Sequence, residues 1–366
     1  MKSNSHGHPA FLKRPLSLTL RLMPLALAAL LLAISLTSCS RPDGRLAERA
    51  HQLLNEGKLQ QAQESLQDGF RQFPQSVALR QERLRLNLLA GQPELAAAEA
   101  HQILQTQPSA QPYRLPLRDP SPAIRSLAIR AFALDPPPRP SPLSTLRNAL
   151  RDSDPTVRRE AIEATRILSA TDSAPLLTQA TQDPDWLTRA SAARLLGNRA
   201  DPTAIPTLFS MLNDKDSYVR RFARRSLLEL ATLSKPDAYL PALQSKDRTT
   251  QVVAALALAR LNDGRGLNIL LEEIANPLGI ERTEGVKSAV RIQDPRVLPA
   301  VRTATTDQDS QVRMVALIAL GLLHDQESSS RMKQISNDTS APQEVRLAAG
   351  KALDLLSQPN PQPSLK

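Results

Sequence analysis

The sequence is poor in sulfur and in rings. Its one cysteine, Cys39, excludes an intrachain disulfide framework and any zinc site built on several thiolates. Aromatic residues are scarce as well: six Phe, three Tyr and one Trp in 366 residues. The apolar content is therefore mostly Leu, Ala, Val and Ile, which fills thin layers between helices but offers few faces for stacking bases or flat cofactors. A Gly-Lys-Ser/Thr phosphate loop, a Gly-x-Ser-x-Gly elbow and a His-Glu-x-x-His helix are all missing. Beyond residue 38 the histidines are His51, His101 and His324, far apart and without carboxylates at metal-binding spacing. These absences predict a non-enzyme with no metal and no cofactor.

Proline, by contrast, is abundant, with 30 residues, and the formal charge is +10. Lys2, Lys13, Arg14 and Arg21 stand in the first 38 residues with no acid, so the remainder carries about +6. That segment reads as an export signal, with a basic start and an apolar run from Leu22 to Leu36 broken only by Pro24 and Ser35. The run is shorter than the roughly 20 residues that span a bilayer as a helix. It ends in Leu36-Thr37-Ser38-Cys39, which resembles the lipobox of bacterial lipoproteins. The resemblance implies cleavage before Cys39, acyl chains on its thiol and on the freed amine, and a short lipidated linker over 39–43. More than one chain makes stable anchoring reasonable, since a single acyl chain holds only marginally. Ser40, rather than Asp, follows the cysteine, which in diderm lipoproteins favours the periplasmic face of the outer membrane.

Two repeat lengths follow. Over 44–110 the pairs Gly57/Gly91, Ala62/Ala96 and Pro74/Pro108 are each 34 residues apart. This spacing resembles two degenerate tetratricopeptide repeats lacking the family's large aromatic positions. From 111 to 356 a shorter period carries arginines at 125, 158, 189, 220, 282, 313 and 346, with Val252 as a degenerate eighth member. Three residues after each anchor stands a small side chain: Ala128, Ala161, Ala192, Ala223, Ala255, Gly285, Ala316 and Ala349. At that point the first helix of each unit must pass close to a neighbour, and only a small residue fits.

Ser121, Asp154, Asp185, Asp216 and Asp309, four residues before their anchors, are natural helix N-caps. Asp119, Asp152, Asp183, Asp214 and Asp307 come two residues earlier still. The pattern Asp-x-Asp-x-x-Val-Arg with alanine three residues on resembles the HEAT repeat, in the short bacterial form also called the phycobilisome-lyase HEAT-like repeat. No such helix pair can bury its apolar face alone, so the units must stack. The expected fold is all-α: a right-handed α-α superhelix of about two TPR-like and eight HEAT-like pairs. A proline-rich connector over 135–142 interrupts the first HEAT-like unit, and a polar tail over 357–366 is expected to be disordered.

Identical positions of stacked repeats form ladders. Asp154, Arg158, Asp185, Arg189, Asp216, Arg220, Asp309, Arg313 and Arg346 are therefore expected to be structural, with each arginine reaching aspartates of an adjacent unit. Arg221, Arg224 and Arg225, close to the anchor Arg220, share one helix face and could meet an anionic partner, although a solvated outer face is the plainer reading. Asn276-Pro277-Leu278-Gly279 replaces the Asp pair in a degenerate stretch where Glu272, Glu273, Glu281 and Glu284 make an acidic patch. Trp186 and Tyr218, at helix starts, read as packing residues.

The function these features favour is a membrane-anchored envelope scaffold that binds another protein through its solenoid, held at the bilayer by lipid on Cys39. An anionic glycan or lipid binder is an alternative, as is a chromophore-handling protein like the lyases whose repeat it resembles. Nucleic acid is not an expected partner at an envelope address.

Overall fold

The computed structural model describes residues 41–137, 141–276, 279 and 281–359, and among them all regular structure is helical. Cys39, the leader, residues 138–140 of the proline run and the tail from 360 lie outside the described residues. The chain divides into two compact units, residues 1–140 and 141–366. Their border falls within the proline-rich stretch of the sequence.

The first unit holds α1 (Pro42–Asn55), α2 (Leu59–Gln72), α3 (Val77–Leu89), α4 (Pro93–Thr106) and α5 (Pro122–Leu134). Helices α1 and α2 pack as a hairpin, as do α3 and α4, and α5 lies against both α3 and α4. Gly57 and Gly91 occupy the two hairpin turns at φ +73° and +72°, a left-handed conformation that glycine adopts without steric cost. Ala62 and Ala96, five residues on, are fully buried where the helices meet. At the end of α5, Tyr113 packs edge-on against Phe132 with ring centroids 5.4 Å apart, and its hydroxyl donates to the carbonyl of Ala131.

The second unit opens with α6 (Pro142–Ala149), which packs against α7 (Pro155–Ala164) and α8 (Ala170–Ala180). Four pairs follow: α9 (Trp186–Asn198) with α10 (Ile205–Ser210), α11 (Ser217–Ala231) with α12 (Leu240–Leu243), α13 (Arg248–Arg260) with α14 (Leu267–Ala275), and α15 (Arg282–Ile292) with α16 (Val297–Ala304). Helices α17 (Ser310–Leu322), α18 (Ser329–Asn337) and α19 (Gln343–Ser357) complete it. The odd-numbered helices α7 through α19 stack one on the next, and the shorter even-numbered ones lie alongside, so the unit is an α-solenoid. Helix α18 is a second helix that the apolar pattern of the sequence did not show.

The anchor alanines carry this stacking. Ala161, Ala192, Ala223, Ala316 and Ala349 are all fully buried. Other close approaches use glycine: a Cβ at Gly197 would lie 2.9 Å from the Cα of Ser226 on the neighbouring first helix. The Ser226 hydroxyl then donates to the Ala193 carbonyl at 2.9 Å, so the crossing carries a hydrogen bond as well as close packing. Where α12 shrinks to four residues, Tyr239 fills the space, fully buried, with its hydroxyl donating to the Leu227 carbonyl at 3.0 Å. Burial pushes its phenol up to about 12.

Candidate functional site

The ladder has one recurring rung. Arg189 donates from Nη1 to the carbonyls of Asp183 and Pro184 in its own unit, at 2.8 and 3.1 Å. Its Nε and Nη2 form a two-pronged bond to the carboxylate of Asp214, at 2.7 and 2.8 Å. Arg158 repeats every element of this on Asp152, Ser153 and Asp183. Arg282 grips Asp307 in the same two-pronged way. The acceptor carboxylate also takes a backbone N–H two residues on: Asp185 to Asp183, Asp216 to Asp214, and Asp309 to Asp307.

This geometry corrects the ladder expected from the sequence. The aspartates four before the anchor are caps: Asp154 accepts from the N–H of Thr156, Asp185 from Thr188, Asp216 from Tyr218 and Val219, and Asp309 from Gln311. The rung acceptors are Asp183, Asp214 and Asp307, two residues earlier. Two carboxylates so close in sequence divide the work: one caps free N–H groups of the first helical turn, and the other braces a backbone N–H of the turn before it. Asp185 also meets an arginine, Arg159, at 3.3 Å.

The register needs a second correction. Gln251, not Val252, takes the anchor position: its Nε2 donates to the carbonyl of Ser245 at 2.8 Å, six residues back, as Arg189 does to Asp183. Asp247 caps that helix from the expected place, accepting from the N–H of Thr250. The anchors 158, 189, 220, 251, 282 and 313 then follow one another at an unbroken 31-residue step. The small residue of that unit becomes Ala254, which is as fully buried as Ala255.

Three expected rungs end differently. Arg220 donates from Nη1 to the carbonyls of Asp214 and Lys215 but reaches no carboxylate of the next unit, where Ser245 stands in the acceptor place. Arg313 makes the two carbonyl bonds to Asp307 and Gln308. Asp338, 25 residues on, is turned to the N–H and hydroxyl of Ser340 instead. Arg346, on the last helix, donates to the carbonyls of Thr339 and Ala341.

The arginine face of α11 proves largely self-neutralised. Arg224 pairs with Glu281, and Arg225 with Glu229 four residues along at 2.7 Å. Arg221 lies over the Tyr218 ring at 4.7 Å. The acidic patch is likewise occupied: Arg248 meets Glu272 at 2.9 Å, Lys287 meets Glu284 at 2.9 Å, and Glu273 is buried and accepts the N–H of Glu281. Burial raises the Glu281 carboxyl above its ordinary range despite Arg224 beside it.

The histidines serve local roles. His51 faces Glu82 at 3.2 Å, His101 faces the fully buried Asp135 at 3.3 Å, and His324 takes a left-handed turn at φ 52° on leaving α17. Among the described residues no group of three or more His, Cys, Asp or Glu side chains could hold a metal, and no helix is long and apolar enough to cross a membrane.

One surface feature went unrecognised in the sequence. Trp186 and Tyr218, at the starts of α9 and α11, are 40% and 49% exposed yet touch each other, with ring centroids 5.5 Å apart. The Arg221 guanidinium lies over the Tyr218 ring, so the two rings with this cation make an exposed aromatic patch at one end of neighbouring first helices. Their 32-residue separation, close to the repeat length, was the available signal.

A family model described as HEAT repeats matches residues 114–185, 173–239 and 270–354, more than half of the chain in all. No curated protein matches the sequence. Among solved structures, an engineered protein is similar at 17% identity, over 76% of this chain and 88% of that one, with a TM-score of 0.40. The complex of CpcE and CpcF of phycocyanin lyase from Nostoc sp. PCC7120 is similar at 18% identity, over 72% and 94%, with a TM-score of 0.32. A second engineered protein gives 21% identity, 59% and 97% coverage, and a TM-score of 0.29.

Proposed function

Since the chain belongs to the HEAT-repeat family, we propose that it is a lipid-anchored scaffold of the bacterial envelope that binds another protein along its solenoid. The observation that carries this reading is the exposed Trp186–Tyr218 pair on a stack braced by bidentate rungs. Large rings held at the surface of a rigid element are the residue types that anchor protein interfaces, because they bury much area while losing few rotamers. The braced stack keeps such groups at fixed spacing, so little ordering entropy is lost when a partner docks.

The anchor is Cys39, acylated after cleavage of residues 1–38, with the helix hairpins of the first unit, TPR-like in their 34-residue spacing, nearest the bilayer in sequence. Ser40 favours delivery to the outer membrane of a diderm cell. In this reading the chain catalyses no reaction and takes no metal or cofactor. The test is crosslinking of the full-length protein in intact cells, with Cys39→Ala and Trp186→Ala compared against wild type. One dominant envelope partner, lost in Cys39→Ala and weakened in Trp186→Ala, is the expected result. Crosslinks that are unchanged by both substitutions would sink the proposal.

The anionic-polymer alternative loses much of its ground on α11, where Arg224 and Arg225 already have carboxylates of their own. The chromophore-handling alternative rests on the repeat resemblance alone, and visible absorbance on the purified protein is its test.

A further inference from the structure

The most regular feature of the second unit is incomplete at Arg220, as it is at Arg313, and only at Arg220 do lysines flank the gap. In the rungs of Arg158 and Arg189 the guanidinium is pinned by two backbone carbonyls and its remaining fork, Nε and Nη2, closes on an aspartate 25 residues ahead. Arg220 is pinned in the same way, with Nη1 at 2.8 Å from the Asp214 carbonyl and 3.0 Å from that of Lys215. The residue 25 ahead is Ser245. Its hydroxyl accepts the N–H of Asp247 at 3.1 Å, taking over the bond that Asp183 and Asp214 give to Asp185 and Asp216. The serine therefore reproduces the turn but lacks the second oxygen and the reach of a carboxylate. Among the described residues the Arg220 fork has no partner. Arg158 and Arg189 are 9% and 5% exposed, whereas Arg220 is exposed.

A second observation concerns charge. The residue between the two aspartate positions is Ser153, Pro184, Lys215, Lys246, Pro277 and Gln308 along the stack. The lysines of that column thus flank this one rung, and both are exposed, in a chain with only ten lysines. The nearby carboxylates are committed: Asp214 to Arg189, and Asp216 and Asp247 to capping their helices. Arg248, at the start of the next helix, is held by Glu272.

The geometry points to a carboxylate-binding site at Arg220, Lys215 and Lys246, which takes an Asp or Glu side chain from an acidic segment of a partner protein into the place that an aspartate fills in the neighbouring rungs. The fork is preorganised by its carbonyl bonds, so the incoming carboxylate finds both donors already aligned. The two lysines raise the local concentration of an acidic peptide and make its binding salt-dependent. This inference rests on the protein-binding scaffold reading and specifies one of its contacts.

The test uses the full-length protein in detergent and a fluorescein-labelled, Glu-rich twelve-residue peptide, with its Gln counterpart as the neutral control. Fluorescence anisotropy is read for wild type, Arg220→Gln and Ser245→Asp, the last supplying the missing carboxylate in cis. Lys333→Gln, at an exposed site on α18, matches the charge change. Saturable binding of the Glu peptide alone is expected, weakened about ten-fold or more by Arg220→Gln and by Ser245→Asp and little changed by Lys333→Gln. A melting temperature of Ser245→Asp at or above wild type shows that the loss is not unfolding. No saturable binding to wild type, equal binding to Ser245→Asp, or an equal loss in Lys333→Gln overturns the site. In-cell crosslinks to the envelope partner that survive Ser245→Asp leave the scaffold reading in place while removing this contact.

Discussion

Arg189 holds Asp214, 25 residues ahead, through two parallel hydrogen bonds of 2.7 and 2.8 Å, and Asp214 in turn braces the N–H of Asp216, which caps α11. One arginine thereby fixes the turn behind it, the turn ahead of it and the start of the next first helix. Such a rung differs from a surface ion pair, because Arg189 is almost wholly buried and its remaining donors are satisfied by backbone carbonyls.

Asp214→Asn removes the charge that Arg189 is paired with and leaves a buried guanidinium uncompensated. A loss of about 3 kcal/mol of stability is expected, read as a lower urea midpoint with an unchanged slope. An equal loss on replacing exposed Asp68, paired with Arg71 on α2, would show that burial of the rung is irrelevant.

The Arg189 guanidinium, with the N–H of Asp216, holds the Asp214 carboxyl below the ordinary carboxylate range even though burial opposes it. At Asp325, burial pushes upward, but Arg302 and the Ser328 hydroxyl outweigh it and the carboxyl again lies low. A depressed folded value means stability that is fully present above the unfolded value of about 4 and lost as pH falls through the lower folded one. Urea titrations should therefore show the gap between wild type and Asp214→Asn roughly constant from pH 5 to 8 and closing in acid. A gap that widens below pH 4 would contradict this sign.

Ala200, Asn262, Gln293 and His324 leave their helices in the left-handed region, at φ 52° to 56°. An L-residue there carries about 1 kcal/mol of strain that glycine does not. Ala200→Gly should accordingly raise the melting temperature, while Gly91→Ala, at φ +72°, should lower it. Thermal denaturation of the two variants decides, and a destabilised Ala200→Gly would refute the argument.

Gly197→Ala would set a methyl group against the Ser226 hydroxyl and 2.9 Å from its Cα, and the backbone atom cannot step aside. The expected cost is about 1–3 kcal/mol. Shortening the neighbour as Ser226→Ala should recover only part of it, because the clash with the backbone remains. Full recovery in the double variant would show that the side chain alone was in the way.

Trp186→Ala and Tyr218→Ala remove exposed rings and should change stability by less than about 1 kcal/mol. Partner crosslinking should fall sharply if the patch is the docking anchor. Loss of folding in either variant would identify the pair as core rather than surface.

The repeat was legible because its constraints are local. A capping aspartate, a proline at the first helical position and an alanine at the crossing each follow from the chemistry of a single turn, and all recur at readable spacing. Gln251 escaped because it lacks the arginine that marked the column, and only its bond to the Ser245 carbonyl reveals its place. The pairing of Arg224 with Glu281 spans 57 residues and two first helices, a relation no periodicity contains. Trp186 and Tyr218 were separately visible, yet their stacking depends on how far one unit is offset from the next.

The sequence by itself determined the class of fold, since thin aliphatic layers on short helices must stack to be buried, and small anchors state where they cross. It also carries the motif on which the proposed acylation of Cys39 rests. Tertiary structure alone decided which of two neighbouring aspartates meets the arginine, because that choice rests on the rise from one unit to the next. It decided equally that Arg220 is left open, since a serine in the acceptor turn preserves the backbone bond while falling short of the guanidinium.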